Sequence, residues 1–230
     1  MAENSRAATG ENRAVQFEQF PALVRKHTAH AFTQRVTGID VGADKVEALR
    51  RLDHVHREIR DTLGLGGAPF ITAQQVHGSG IAVVDEPVTG DRCFNDCDGL
   101  ITNQPGLCLG IYVADCCAVY LVDPVRAAIG LVHSGRKGTE LGIAPAAVDL
   151  MAEKFGSVPN DLIVQLSPCI RPPHYEVDFA AEIVRSCRER GVIHVHDAGV
   201  CTACELERYY SYRAEKGRTG RMLALLAMTA

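Results

Sequence analysis

Between positions 44 and 63, apolar residues recur at helical spacing. Leu49, Leu52, Val55, Ile59 and Leu63 fall on one face, which predicts an amphipathic helix. Asp44 with Glu47 resembles a capping box, and Gly64 occupies the place of a helix-ending C′ residue. His54 and His56 flank Val55 and read as solvated helix histidines. Upstream, 17–32 mixes apolar and polar residues and predicts one or two short strands. Downstream the pattern changes to short apolar runs bounded by turn residues. These predict strands at 70–77 and 81–85, joined by Gly78-Ser79-Gly80, then a polar loop at 91–98, then strands at 100–102, 108–114, 119–122 and 127–133. A second helical face follows, with Leu141, Ala144, Val148, Met151 and Phe155, and Gly156 to end it. Pro145 has no N–H to give to a helix interior, so that helix either begins near Ala144 or kinks there. A buried strand at 162–166, a helix at 177–190 ending at Gly191, and an apolar strand or short helix at 222–228 complete the chain. There is no internal repeat and no low-complexity linker. One α+β domain over 14–230 is the economical reading, preceded by a small, polar, disordered tail at 1–13.

The 230 residues are 47% hydrophobic and 23% charged, which lets a single core form without disulfides or a structural metal. A metal in such a chain is therefore expected to serve function. The net charge of −4 and the lack of a Lys/Arg cluster argue against a nucleic-acid partner. No apolar run approaches membrane-spanning length, and no hydrophobic leader precedes the domain. Nine cysteines form no even framework, so reduced thiols in the cytoplasm are expected.

Three residues each end an apolar run beside a turn or a second polar group: His77, Cys116 and His133. Two imidazoles and a thiolate make a tetrahedral zinc set with one position open, the catalytic kind of site. They lie 39 and 17 positions apart, so spacing alone does not bring them together. Their shared place at strand ends argues that they meet, with donor atoms within roughly 4 Å of one another. Cys117 should face the other side of its strand and be structural. His133 leads into Ser134-Gly135-Arg136-Lys137-Gly138, a glycine-rich strand-to-helix loop with two cations that suits an anion but lacks Walker spacing. Cys201-Thr202-Ala203-Cys204 has C-x-x-C spacing but no second cysteine pair, and reads as a pair of non-ligand cysteines. A metal pair at Cys93 and Cys97 is not expected. His174, in a Pro-Pro turn, and His194 and His196, alternating along a strand, read as structural.

Gln75-Val76-His77-Gly78, Asp98-Gly99-Leu100-Ile101-Thr102, Ala114-Asp115-Cys116, His133 to Gly138, Ser167-Pro168-Cys169-Ile170 with Tyr175-Glu176-Val177, Cys201-Thr202 and Tyr210-Ser211-Tyr212-Arg213 occur in that order. From about Val15 to Met222 the series resembles the laccase-domain family, long labelled multicopper polyphenol oxidases and now read as zinc-dependent purine nucleoside phosphorylases. The resemblance implies an α/β/β/α sandwich with mixed β-sheets, similar to the catalytic domain of cytotoxic necrotizing factor toxins. It implies a cytoplasmic enzyme acting on a purine nucleoside and phosphate, with adenosine deamination and 5′-methylthioadenosine phosphorolysis as further activities. It also implies that His77, Cys116 and His133 are both catalytic and metal-ligating, for zinc or for copper as a substitute. Lys137 and Arg213 are the expected anion contacts, and Asp98 and Asp115 candidates for protonating the leaving base. A monomer or weak homo-oligomer is expected. The chain departs from the family pattern where His-Ala-Gly-Trp-Arg-Gly is usual. Here Arg136 and Lys137 replace Trp-Arg, and the chain has no tryptophan. The segment between Val177 and Cys201 is short, and Pro145 falls where the family helix is uninterrupted.

Other chemistries fit parts of the same set. A copper-dependent polyphenol oxidase would need more clustered histidines than converge here, although copper outcompetes zinc for thiolate–imidazole sites. A cysteine hydrolase or amidase would use Cys116 as nucleophile and His133 as base, without metal. A metal-bound interaction protein with a decayed pocket is the non-enzymatic alternative.

Overall fold

The computed structural model describes residues 16–229, so the disordered tail expected at 1–13 lies outside the described residues. The strands are β1 (Phe17–Glu18), β2 (Thr28–Thr33), β3 (Phe70–Ala73), β4 (Ile81–Val84), β5 (Arg92–Phe94), β6 (Gly99–Thr102), β7 (Cys108–Val113), β8 (Cys117–Asp123), β9 (Ala128–Ser134), β10 (Ile163–Leu166), β11 (His194–Asp197) and β12 (Met222–Met228). The helices are α1 (Lys45–Thr62), α2 (Arg136–Glu140), α3 (Ile143–Phe155) and α4 (Phe179–Glu189). One sheet runs β1-β2-β12-β7-β3-β5 and the other β11-β10-β8-β9-β6-β4, each mixing parallel and antiparallel pairs.

Period-two alternation divides the apolar side chains between layers. Along β8, Ala118, Tyr120 and Val122 enter the core between the two sheets. Cys117, Val119 and Leu121 point the other way, under α3 and α4. Along β12, Ala224 and Leu226 face the inter-sheet core, whereas Leu223, Leu225 and Ala227 meet Val55 and Ile59 of α1. The order is therefore α1, sheet, sheet, α3 with α4: a four-layer α/β/β/α domain of the mixed-sheet α+β class.

Helix α1 begins as its sequence predicts. Asp44 Oδ1 accepts the Glu47 N–H at 3.0 Å, and Gly64 follows the last turn with φ +72°. The capping box is only half made, because the Glu47 carboxylate binds Arg50 and Arg51 instead. Pro145 is the third residue of α3, in the first turn, where its missing N–H costs nothing. Leu141 lies before that helix and is 51% exposed, off the face expected for it. The apolar run at 222–228 is a fully buried strand.

Two sequence expectations need correction. The strand expected at 70–77 stops at Ala73, because Gln75 and His77 adopt left-handed backbone (φ 63° and 60°). The connection through 78–80 leads from β3 in one sheet to β4 in the other. His56 is buried rather than solvated, with its ring 5.5 Å from that of Tyr112 and its Nε2 lacking a hydrogen bond.

His56 and His30 together make the fold acid-sensitive. Burial holds each imidazole down to about 4, and His30 Nε2 must stay unprotonated to accept the Phe20 N–H at 2.7 Å. In the unfolded chain both would titrate near about 6.5. Their neutral forms therefore stabilise the fold fully above that pH, and the contribution is lost as pH falls through about 4, amounting to several kcal/mol for the pair. Urea midpoints should fall steeply between roughly pH 6.5 and 4, and His56→Leu should flatten part of that slope. A midpoint flat across that window would contradict the assignment.

Candidate functional site

The chain passes from the first sheet to the second three times at one end of the sandwich: from β3 to β4, from β5 to β6, and from β7 to β8. His77 lies in the first crossing, Asp98 in the second and Cys116 in the third. Strand β9 runs antiparallel to β6 and β8, so its far end arrives at the same place, with Ala118 opposite His133 and Gly99 opposite Val132. The donor atoms of His77, Cys116 and His133 lie within 4.8 Å of one another, and the two rings meet edge-to-face at 4.8 Å. Four segments remote in sequence thus converge because of the topology.

Asp98 organises this end. Its side chain is fully buried, with Oδ1 accepting from the His77 N–H at 2.9 Å and contacting His133 Nδ1 at 2.8 Å. Oδ2 accepts from the Val76 and Gly78 N–H groups at 3.1 and 2.7 Å. Burial disfavours the charge, but the His133 hydrogen bond and the Gly78 and His77 amides outweigh it and hold the carboxyl below its ordinary range. Tethering Nδ1 leaves Nε2 of His133 for the cluster, the usual arrangement behind a metal-bound histidine. Gln75 secures the same loop: its amide donates to the Tyr112 carbonyl at 2.6 Å and accepts the Tyr112 N–H at 3.0 Å. These contacts offset the left-handed backbone of Gln75 and His77, which costs of order 1 kcal/mol or more at each residue.

Asp115, also left-handed (φ 82°), delivers Cys116. Its Oδ1 accepts from Thr202 Oγ1 and its Oδ2 from the Arg213 N–H, each at 2.7 Å. Both oxygens of Asp98 and of Asp115 are thus engaged in holding the turns that carry the cluster. Burial pushes the Cys116 thiol up, but hydrogen bonds from His133 and His77 outweigh it and bring it down to about 6. Burial works against the His133 imidazolium too, yet Asp98 and Cys116 raise it to about 9. Without a metal, the cluster thus holds a Cys116 thiolate beside a His133 imidazolium at neutral pH.

The glycine-rich loop also packs against the cluster. A Cβ on Gly135 would lie 2.5 Å from Cys116 Sγ, so only glycine lets the sulfur sit there.

The cluster opens into a cleft of about 840 Å³ that also takes in Lys137 and Arg213, as expected from sequence. Lys45, Arg136 and Arg221 add further cations to its lining, with Asp115 and Glu140 as its carboxylates and Tyr112, Tyr175, Phe179 and Tyr212 as its rings. Arg136 and Arg213 both reach Glu176, at 3.3 Å; Lys137 makes no ion pair among the described residues. Sequence reasoning missed Lys45 and Arg221, which reach the cleft from the first turn of α1 and from the residue before β12. Cys117 faces away, toward Ser167 and Cys169. His194 and His196 lie on an edge strand, outside the cleft. His174, read as structural from the sequence, lies beside Cys201 and Cys204, and the three donor atoms form a second group within 4.8 Å.

A chain from Geobacillus stearothermophilus named purine nucleoside phosphorylase YlmD is 27% identical over 89% of this chain and 88% of its own length. A purine nucleoside phosphorylase of Deinococcus radiodurans is 30% identical over 86% and 88%, and one of Streptomyces coelicolor is 33% identical over 70% and 76%. The crystal structure of YlmD from Geobacillus stearothermophilus superposes with a TM-score of 0.77 at 24% identity, covering 94% of this chain and all of that one. A hypothetical protein YfiH of Bacillus licheniformis gives the same TM-score over 88% and 93%. No helix among the described residues is long and apolar enough to cross a membrane. Residues 25–186 and 177–229 match the family model described as multi-copper polyphenol oxidoreductase laccase, and the chain belongs to that family.

Proposed function

We propose that the protein is a zinc-dependent purine nucleoside phosphorylase, with His77, Cys116 and His133 as metal ligands and Lys137 and Arg213 as phosphate contacts. The observation that carries this reading is the joining of a thiolate and two imidazoles to a cleft lined by five cations. The donor set fits the metal: the thiol ionises readily, and the carboxylate that holds His133 Nδ1 turns Nε2 to the cluster, where a metal would take the place of its proton. Zinc bound there supplies a Lewis acid and an open position for an oxygen of phosphate or water. The names of the relatives support the substrate class.

Lys137 and Arg213 would hold phosphate for attack on the sugar carbon as the bond to the base breaks and its electron pair leaves with the base. Tyr175, Phe179 and Tyr212 offer faces on which a purine can stack. Adenosine deamination would use the same open position for water, and 5′-methylthioadenosine the same cleft. Lys137→Ala should raise the KM for phosphate roughly tenfold and change kcat less, since a charge-assisted hydrogen bond is worth about 1.5–3 kcal/mol. An unchanged phosphate KM in steady-state assays with inosine would remove Lys137 from this role.

The Cys116–His133–Asp98 alignment also suits a cysteine hydrolase. The second imidazole, His77, argues for metal, because a nucleophilic thiol needs one base only. Chelation separates the two: phosphorylase activity should vanish with zinc and return with it, whereas a thiol hydrolase would persist. Phenol oxidation by several coppers has less support. Among the described residues the donor clusters are His77–Cys116–His133 and His174–Cys201–Cys204, with no histidine-rich group.

A further inference from the structure

The structure assigns a second zinc site to His174, Cys201 and Cys204, linked to the Asp115 turn through Thr202. His174 Nδ1 lies 3.4 Å from Cys204 Sγ and 3.9 Å from Cys201 Sγ. A tetrahedral zinc with its usual bond lengths places a nitrogen and a sulfur donor about 3.6 Å apart. The observed separations bracket that value, so the ion fits with side-chain adjustments of tenths of an ångström. Two thiolates and an imidazole form a soft donor set that selects zinc over calcium or magnesium.

The backbone prepares the arrangement. Cys201 and Cys204 close a turn through the Cys204 N–H and the Cys201 carbonyl at 3.1 Å, which puts the two side chains of the C-x-x-C on one side. Cys169 and Cys201 form a parallel bridge, with the Cys169 N–H on the Val200 carbonyl and the Thr202 N–H on the Cys169 carbonyl, each at 3.2 Å. That bridge brings the segment carrying His174 alongside the cysteine turn. Cys201 is 9% exposed while His174 and Cys204 lie at the surface, so solvent can supply the fourth ligand.

The site would be a clip on the wall of the cleft. Thr202, between the two cysteines, donates to Asp115 next to Cys116. Tyr175, which follows His174, lines the cleft beneath the Arg213 guanidinium at 4.9 Å. An ion held by the three residues would join these two pieces of wall from outside, without touching substrate.

The test is zinc counting by native mass spectrometry on protein purified under reducing conditions and titrated with zinc alone. Wild type should take up two ions per chain, Cys116→Ser and Cys204→Ser one each, and the double variant none. In the Cys116→Ser background, cobalt should give thiolate charge-transfer bands that His174→Ala or Cys204→Ser abolishes. Zinc should also raise the melting temperature of Cys116→Ser and not that of the double variant. His174 and Cys204 are exposed, so their replacement leaves the core intact; the wild-type titration needs no variant at all. Saturation at one zinc in wild type, with Cys204→Ser unchanged, would overturn the site. A Cys201–Cys204 disulfide that forms in preference to zinc binding would do the same.

Discussion

Cys116→Ser is expected to remove zinc from the His77–His133 cluster and nucleoside turnover together, with circular dichroism close to wild type and a urea midpoint close to that of the zinc-free wild-type protein. A serine hydroxyl ionises far less readily than a thiol and makes a poor zinc ligand, and this thiol is already held at about 6 by its neighbours. Losing several kcal/mol of charge stabilisation in the transition state corresponds to a rate loss of roughly a thousandfold or more. The fold should survive because Cys116 only borders the inter-sheet core, whose mass is Leu, Ile, Phe and Tyr. Cys117→Ser is the control. Its side chain points under α3 and α4, so the variant should keep metal and activity at a modest cost in stability. The reverse pattern, with metal lost from Cys117→Ser and retained in Cys116→Ser, would place the wrong residue in the site.

The second large effect is expected at Asp98, which touches no substrate in this account. Asp98→Ala leaves the N–H groups of Val76, His77 and Gly78 without their acceptor and His133 without its tether. The loss should reach about 3 kcal/mol or more in urea unfolding, because each orphaned donor costs about 1–3 kcal/mol. Zinc affinity should fall about 10–100-fold, the usual cost of removing the partner of a metal-bound histidine. Asp98→Asn keeps the shape but turns one acceptor oxygen into a donor, and should fall between the two. Wild-type zinc affinity in Asp98→Ala, measured by competition with a chromophoric chelator, would show that the carboxylate does not position the ligands.

Much of this was legible in the sequence because local chemistry decides it. Helix α1 follows from Leu52, Val55 and Ile59 at helical spacing behind the Asp44 cap, and β8 from an uninterrupted apolar run. That His77, Cys116 and His133 meet was readable from residue type and strand-end position, and strand alternation turns Cys117 away from them. What remained hidden depends on contacts between distant segments. A run of short apolar strands does not reveal which sheet each one joins, so the crossing from one sheet to the other at 78–80 carries no local mark. The left-handed turn at Gln75 and His77 is carried by residues that seldom adopt it, and is held there by Asp98, 21 positions or more downstream. The four contacts of Asp98 join segments that no local pattern relates. Burial of His56 depends on Tyr112, and the meeting of His174 with Cys201 and Cys204 on a single parallel bridge, so no local pattern marks either.

The central claim is that zinc held by His77, Cys116 and His133 supports attack by phosphate on a purine nucleoside. The most direct test is mass-spectrometric product analysis on protein of measured zinc content, incubated with inosine, adenosine or 5′-methylthioadenosine, with and without phosphate. Free purine base together with the sugar 1-phosphate is expected, formed only when phosphate is present, in proportion to zinc, and lost in Cys116→Ser. Free base and unphosphorylated sugar at a rate indifferent to phosphate, or full turnover by the zinc-free protein, would contradict it.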